Sequence, residues 1–203
     1  MIILGISCSP RTEGNTEILV REALQGAHAE GAETEFFSLA GREIKPCDGC
    51  GTCQDKGECH IRDDMQELYP LMLAADGILF GTPVYFHAMT AQAKAAIDRS
   101  FLLRYPEISL SGKVGGVIGV AGQLGIIDVL KSLYFYFAHN HMFPADYVIA
   151  YAGPKGAVEN QEIAMKSARE LGVQMVRLAE KDLAFPDDYK RGLIPYVTEK
   201  YQL

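Results

Sequence analysis

The sequence predicts an α/β fold, a doubly wound parallel sheet covered by helices on both faces. Three observations carry this. Short runs rich in Ile, Val and Leu recur along the chain, as in strands buried on both faces. Segments with apolar residues at helical spacing separate them, and the two kinds of segment alternate. Strand-helix-strand units of this sort cross over right-handed and lay their helices on a parallel sheet.

Met1 to Ser7 (MIILGIS) is the first predicted strand, ended by a Ser, Pro and Gly cluster. A helix follows from Thr16 to Glu30, with Ile18, Leu19, Ala23, Leu24 and Ala27 on its apolar side and Gly31 as its stop. Glu33 to Leu39 is the second strand, and a Cys-rich insertion, Glu43 to Arg62, comes after it. Asp63 with Gln66 three residues later has the form of a capping box and opens a helix through about Ala75. Gly77 to Gly81 is the third strand, closed by Thr82 and Pro83, and a helix from Thr90 to Phe101 follows. Lys113 to Ala121 is the fourth strand, Gly125 to Ala138 a helix, Tyr147 to Tyr151 the fifth strand and Asn160 to Leu178 the last long helix. Residues 1–203 are expected to form one domain, with 43–62 as an inserted loop and 180–203 as a C-terminal extension. There is no internal repeat.

Composition bounds the function. With 48% of its 203 residues hydrophobic and 22% charged, the chain has the profile of a globular domain, which excludes disorder, collagen and coiled coil. A chain of this size buries roughly 70% of its unfolded surface, enough for a substantial core. Asp and Glu number 26 against 19 Lys and Arg, a formal charge of -7, and no basic cluster suits a phosphate backbone, so nucleic acid is excluded as an expected partner. No apolar run approaches the roughly 18 residues of a spanning helix, and the N-terminus lacks the basic flank of a signal peptide. A cytoplasmic protein without membrane contact is expected. In that compartment disulfides are rare, so clustered cysteines point to metal or redox chemistry.

In an open parallel sheet, ligands lie beyond the carboxyl ends of the strands, where strand order reverses. The loop after the first strand, Ser7 to Thr16, is rich in hydroxyls, carries Arg11 and leads into a helix N-terminus, a setting that favours phosphate. The dinucleotide and P-loop glycine fingerprints are both missing, so a mononucleotide phosphate fits better. The same residues also suit a plain turn and helix cap. After the third strand, Gly81 to Ala88 combines a rigid Pro83 with Tyr85 and Phe86, which can stack on a flat aromatic ligand. After the fourth, Ala121-Gly122-Gln123-Leu124-Gly125 supplies small residues that admit a ligand close to the backbone. Either of these last two loops, taken singly, is also ordinary loop chemistry.

Cys47, Cys50, Cys53 and Cys59 form C-x-x-C-x-x-C-x5-C, with Gly49, Gly51 and Gly57 between them. Thiols at this spacing can converge on a cubane face while glycines let the backbone wrap the sulfides. Structural zinc more often uses two separated knuckles. Zinc, free thiols and a redox disulfide remain as alternatives to an iron-sulfur cluster. His60, beside Cys59, is a candidate to tune the site or substitute as a ligand. Cys8 lies on the phosphate-type loop, where a helix N-terminus can activate a thiol, but a buried inert thiol is the expected state. His139 and His141, near Tyr134, Phe135, Tyr136, Phe137 and Phe143, are expected to be structural, and the aromatic stretch to be core or subunit interface.

Ser9-Pro10-Arg11, then Gly14-Asn15-Thr16, then Gly81-Thr82-Pro83-Val84-Tyr85 together resemble the flavodoxin-like FMN reductase family over about residues 1 to 180. With all four cysteines present, the chain is similar to that family's iron-sulfur flavoprotein branch. Related flavin reductases keep part of the loop, with the Asp63-Asp64-Met65 that follows it, and hold no cluster. The resemblance implies a five-stranded sheet of order 2-1-3-4-5. It implies FMN, with phosphate on Ser9, Arg11, Asn15 and Thr16 in the same loop as Gly14, and the isoalloxazine against Pro83, Val84, Tyr85, Phe86 and the Ala121, Gly122, Gln123 loop. It further implies a 4Fe-4S cluster on Cys47, Cys50, Cys53 and Cys59, with electrons passing from a donor such as ferredoxin through the cluster to FMN and on to a two-electron acceptor. No side-chain catalyst is needed, since the chemistry belongs to the flavin. A homodimer or homotetramer is implied. Two other functions are weighed beside it: an NAD(P)H-dependent FMN or quinone reductase with a structural cysteine loop, and a zinc-holding flavin carrier or interaction module without turnover.

Overall fold

A computed structural model describes residues 1–202 of the chain. Its strands are β1 (Ile2–Ser7), β2 (Glu33–Ser38), β3 (Gly77–Tyr85), β4 (Ala88–Met89), β5 (Val114–Ala121) and β6 (Phe143–Tyr151). Its helices are α1 (Asn15–Ala29), α2 (Thr52–Lys56), α3 (Met65–Ala74), α4 (Ala91–Arg99), α5 (Ile126–His139), α6 (Glu162–Ala179) and α7 (Leu193–Tyr201). The sheet runs β2-β1-β3-β5-β6 with every neighbouring pair parallel. The two-residue β4 pairs antiparallel with the end of β3. Setting that hairpin aside, this is the expected 2-1-3-4-5 winding, and strand order reverses at β1 and β3.

Alternation within the strands explains the two cores. Ile3, Leu79, Ile118 and Val148 face Leu19 and Leu24 of α1 and Leu171 and Met175 of α6. Their neighbours Leu4, Ile78, Phe80 and Val117 face Leu68 and Met72 of α3, Ala93 and Ala96 of α4 and Leu133 and Phe137 of α5. Successive residues point to opposite faces and both faces are covered, so the central strands β1, β3 and β5 read as continuous apolar runs.

On the first face, α1 and α6 cross at two glycines. A Cβ at Gly26 would lie 2.0 Å from the Arg169 carbonyl oxygen, and one at Gly172 would lie 1.8 Å from that of Ala23. Alanine would gain about 1 kcal/mol of helix propensity, but the clash is with backbone and the helices would have to part. Gly172→Ala is therefore expected to destabilise the protein by about 2 kcal/mol in urea denaturation. A variant as stable as the wild type would show that the crossing is loose.

Three boundaries differ from expectation, each for a physical reason. β3 runs past Gly81 to Tyr85, because its pairing with β1 ends at Gly81 while Thr82 and Pro83 continue to pair with β5. Pro83 is tolerated where one side of the strand is free of a partner. β6 starts at Phe143 rather than Tyr147, with Pro144 accommodated on an edge strand by a register shift between Gly115 and Val117. The capping box does not close: Met65 N–H donates to Asp63 Oδ1 at 3.1 Å, but the Gln66 amide donates instead to the Ile61 carbonyl at 2.9 Å. Asp63 is engaged elsewhere, as shown below. Two short helices were not anticipated, α2 within the cysteine loop and α7 within the C-terminal segment, whose final residue, 203, lies outside the described residues. Among the described residues, no helix is long and apolar enough to cross a membrane.

Candidate functional site

The loops that follow β1, β3, β5 and β6 surround a pocket of about 160 Å³ at the carboxyl ends of the strands. Of the sequence-predicted residues, Ser9, Arg11, Gly14, Asn15, Thr16, Pro83, Val84, Tyr85, Ala121 and Gly122 line it. Phe86 and Gln123 do not. Val120, Ala152, Gly153 and Lys155 complete the wall. The last three follow β6, and a Gly-Pro-Lys run directly after a sheet strand is the signal that could have found them.

Local hydrogen bonds shape the first loop. Ser9 Oγ accepts from Arg11 N–H at 3.1 Å, and Glu17 Oε2 accepts from Glu13 N–H at 3.0 Å, where Glu13 turns with φ 52°. The Asn15 amide donates to the Ala152 and Pro154 carbonyls at 3.2 and 2.8 Å, and its Oδ1 accepts from Val158 N–H at 3.3 Å. Its side chain thus ties the start of α1 to the loop after β6, leaving its backbone to face a ligand. Lys155 approaches Glu13 at 3.2 Å. Arg11, Lys155 and the open N–H groups at the start of α1 give this end of the pocket a positive field suited to an anion.

The other wall ends in the β3–β4 hairpin. Phe86 and His87 form its two-residue tip with φ of 46° and 65°. Such a tight turn requires positive φ at both positions, which favours Asn-Gly; a Phe-His tip is strained. The Phe86 ring is 99% exposed, beside Tyr85 of the pocket wall.

Cys8 follows the expected inert state. It is buried, and burial pushes its thiol up to about 12. At pH 8 only about one thiol in ten thousand would then be ionised. Iodoacetamide is expected to leave Cys8 unmodified in the folded protein and to reach it only after denaturation, as read by peptide mapping; rapid native labelling would contradict its burial.

The cysteine loop forms a second site. Cys47, Cys50, Cys53 and Cys59 line one cavity of about 220 Å³, whose floor includes Arg99, Phe101 and Leu102. Gly49 and Gly51 turn the chain with φ of 71° and 77°. Burial raises the Cys53 pKa, and the proximity of the other three thiols raises it further. Among the described residues, the one group of three potential ligands whose donor atoms lie within 4.8 Å of one another is Asp48, Cys50 and His60. No three of the thiols are that close. Soft thiolate donors of this kind suit zinc or an iron-sulfur group.

Around this cavity, His60 Nε2 lies 2.8 Å from Asp48 Oδ2, and this hydrogen bond, with one from Cys50 N–H, holds the Asp48 carboxyl below its ordinary range. The loop is closed by a buried ion pair. Arg99, at the end of α4, meets Asp63 at 2.7 Å, with the two side chains 1% and 0% exposed. Arg99 also donates to the Lys45 carbonyl at 3.0 Å and the Ile61 carbonyl at 3.1 Å, one on each limb of the loop. Asp63 Oδ2 in addition accepts from Lys45 N–H at 2.8 Å. Burial opposes both charges, but the mutual hydrogen bonds prevail, lowering the Asp63 pKa and raising that of Arg99. No local pattern marks Arg99 as the partner of a residue 36 positions away.

The remaining aromatic and histidine candidates divide. Phe137 is core, Tyr134 donates to the Ala145 carbonyl at 2.8 Å and Tyr136 bonds Ser100 Oγ at 2.9 Å, while Phe135 is exposed. His141 stacks on Phe185 at 4.4 Å, and His139 lines a mostly apolar cavity with Phe101 and Tyr136. Burial, then Arg104, lowers both histidine pKa values.

Comparison with known proteins agrees with this geometry. The NADPH-dependent FMN reductase family matches residues 1–156. An iron-sulfur flavoprotein of Methanocaldococcus jannaschii is 41% identical over 196 residues, spanning 89% of this chain and 100% of its own length. Another, from Archaeoglobus fulgidus, is 34% identical over 189 residues, spanning 89% of this chain and 81% of its own length. In structure, a WrbA-like flavodoxin from Agrobacterium tumefaciens superposes with a TM-score of 0.62 at 15% identity, covering 90% of this chain and 98% of its own. The chain belongs to the NADPH-dependent FMN reductase family, in its iron-sulfur flavoprotein branch, and is an FMN-dependent oxidoreductase.

Proposed function

We propose that this oxidoreductase takes electrons singly from a protein donor such as ferredoxin and hands them in pairs to an acceptor, using a 4Fe-4S cluster on Cys47, Cys50, Cys53 and Cys59 and FMN at the strand ends. When bound, the two groups supply the redox chemistry, the cluster handling single electrons and the flavin collecting two. The observation that carries the reading is the four-thiol cavity, in which Cys47, Cys50, Cys53 and Cys59 line one wall.

The chain's own residues bind and orient. Ser9, Thr16, Arg11, Lys155 and the N–H groups of Gly14 and Asn15 would hold a phosphate, with the α1 dipole behind it. Pro83, Val84, Tyr85, Ala121 and Gly122 would hold the flavin ring. Arg99 and Asp63 hold the limbs of the cysteine loop, so that thiol positions are set before metal arrives. A homodimer or homotetramer suits the exposed Phe86, Ile127 and Phe135, and five unpaired cysteines suit the cytoplasm.

A second reading has the match to the NADPH-dependent family behind it: hydride arriving directly from NADPH, with the cysteine loop structural. Anaerobic purification followed by iron, sulfide, zinc and FMN analysis separates the two. About four irons and four sulfides with one FMN per chain, and flavin reduced by ferredoxin but not by NADPH, is the expected result. FMN without iron after reconstitution, bleached rapidly by NADPH, would replace it with the second reading.

A further inference from the structure

The guanidinium of Arg99 has five N–H groups, and four of them have protein acceptors. Nη1 donates to the Lys45 carbonyl and to Asp63 Oδ2 at 3.0 and 2.7 Å, and Nη2 to the Ile61 carbonyl and Asp63 Oδ1, both at 3.1 Å. The fifth, on Nε, is buried and has no acceptor among the described residues. The residue is only 3% exposed. Buried N–H groups are almost always bonded, because an orphan loses its hydration with nothing in return.

Arg99 lines the four-thiol cavity. Cys59 is close enough for a thiolate there to favour the arginine's charge. Of the two carboxylates on the same wall, Asp98 is bound by Lys94 at 2.5 and 2.7 Å, and Asp48 is engaged by His60 Nε2 at 2.8 Å and by Cys50 N–H at 3.2 Å. The acceptor for Nε–H is therefore to be sought inside the cavity, among the anionic sulfurs that a bound cluster would place there.

We infer that Arg99 recognises the group bound in this cavity, its Nε–H donating to a bridging sulfide or to the Cys59 thiolate. This rests on the reading of the loop as a cluster site and goes beyond it by assigning a non-cysteine contact. Arginine stays charged at every working pH, and a fixed cation beside a site that gains negative charge on reduction stabilises the reduced state more than the oxidised one. Arg99 thus raises the reduction potential of the site, as hydrogen bonds to cluster sulfurs do. The same side chain closes the loop, so binding and loop closure reinforce each other.

The test uses full-length holoprotein carrying 15N only at arginine Nε, reduced with dithionite and examined by pulsed electron paramagnetic resonance. A 15N coupling to the reduced cluster is expected. It should vanish in Arg99→Lys and persist in Arg62→Lys, and the Arg99→Lys molecules that retain iron should also show a lower cluster potential, with FMN content unchanged. If Arg99→Lys fails to fold, the labelled wild-type spectrum with the Arg62→Lys control still decides. Iron and sulfide present with no 15N coupling overturns the Arg99 contact alone. Absence of iron and sulfide overturns the cluster reading together with it.

Discussion

Replacing Cys50 by serine is expected to lower bound iron from about four to less than one per chain, leave FMN bound, and cut ferredoxin-linked turnover by at least about 100-fold. Cys50 is exposed and shares the cavity with the other three thiols. Its hydroxyl replacement is a harder and less acidic donor, poorly matched to iron held by sulfide. The lesion stays local because the residues lining the thiol cavity and those lining the strand-end pocket do not overlap. Metal analysis, flavin absorbance and the rate of flavin reduction by reduced ferredoxin read the three outcomes separately. Turnover unchanged at low iron would remove the cluster from the electron path and leave direct reduction by NADPH as the mechanism.

That separation of sites bears on how much the sequence discloses. The alternation of β1, α1, β3, β5 and α6 is legible because each of these strands is buried on both faces and each helix on one, so periodicity tracks burial. The strand-end loops are legible because connection rules place them at the same end of the sheet. Pro83 is misleading, since proline reads as a stop, yet its missing N–H falls where β3 has already parted from β1. Asn15 is legible as a residue of the loop but not in its role, because its carbonyl partners at Ala152 and Pro154 lie across the sheet. Phe86 is legible as an aromatic in the right loop, but the hairpin turns it outward to solvent. The Arg99–Asp63 pair is illegible. A charged pair joined through tertiary folding has no period, and Asp63 followed by Gln66 offers the sequence a more familiar explanation as a helix cap.

That ion pair supports the second large expected effect. Asp63→Ala removes the acceptor of two Arg99 bonds and of Lys45 N–H, leaving a buried guanidinium without its counter-charge. Breaking a buried pair in this way costs about 3–5 kcal/mol, far more than losing an exposed ion pair. Urea denaturation at pH 7 should show that loss, and iron retention should fall with it as the limbs at Lys45 and Ile61 come free. The pH dependence has a definite sign. The Asp63 carboxyl is held below the usual aspartate range, so its contribution is complete above the ordinary pKa of about 4 and is lost as pH falls through the lowered folded-state value. Arg99 does not titrate in this window. The stability gap between wild type and Asp63→Ala should thus be constant from pH 7 to pH 5 and narrow on further acidification. A double variant, Asp63→Leu with Arg99→Met, should recover much of the stability at pH 7 because it removes the stranded charge, while failing to restore iron, since the loop limbs stay unlatched. Recovery of both would mean that packing alone holds the loop, and a loss below about 1 kcal/mol in Asp63→Ala would mean that the pair closes nothing.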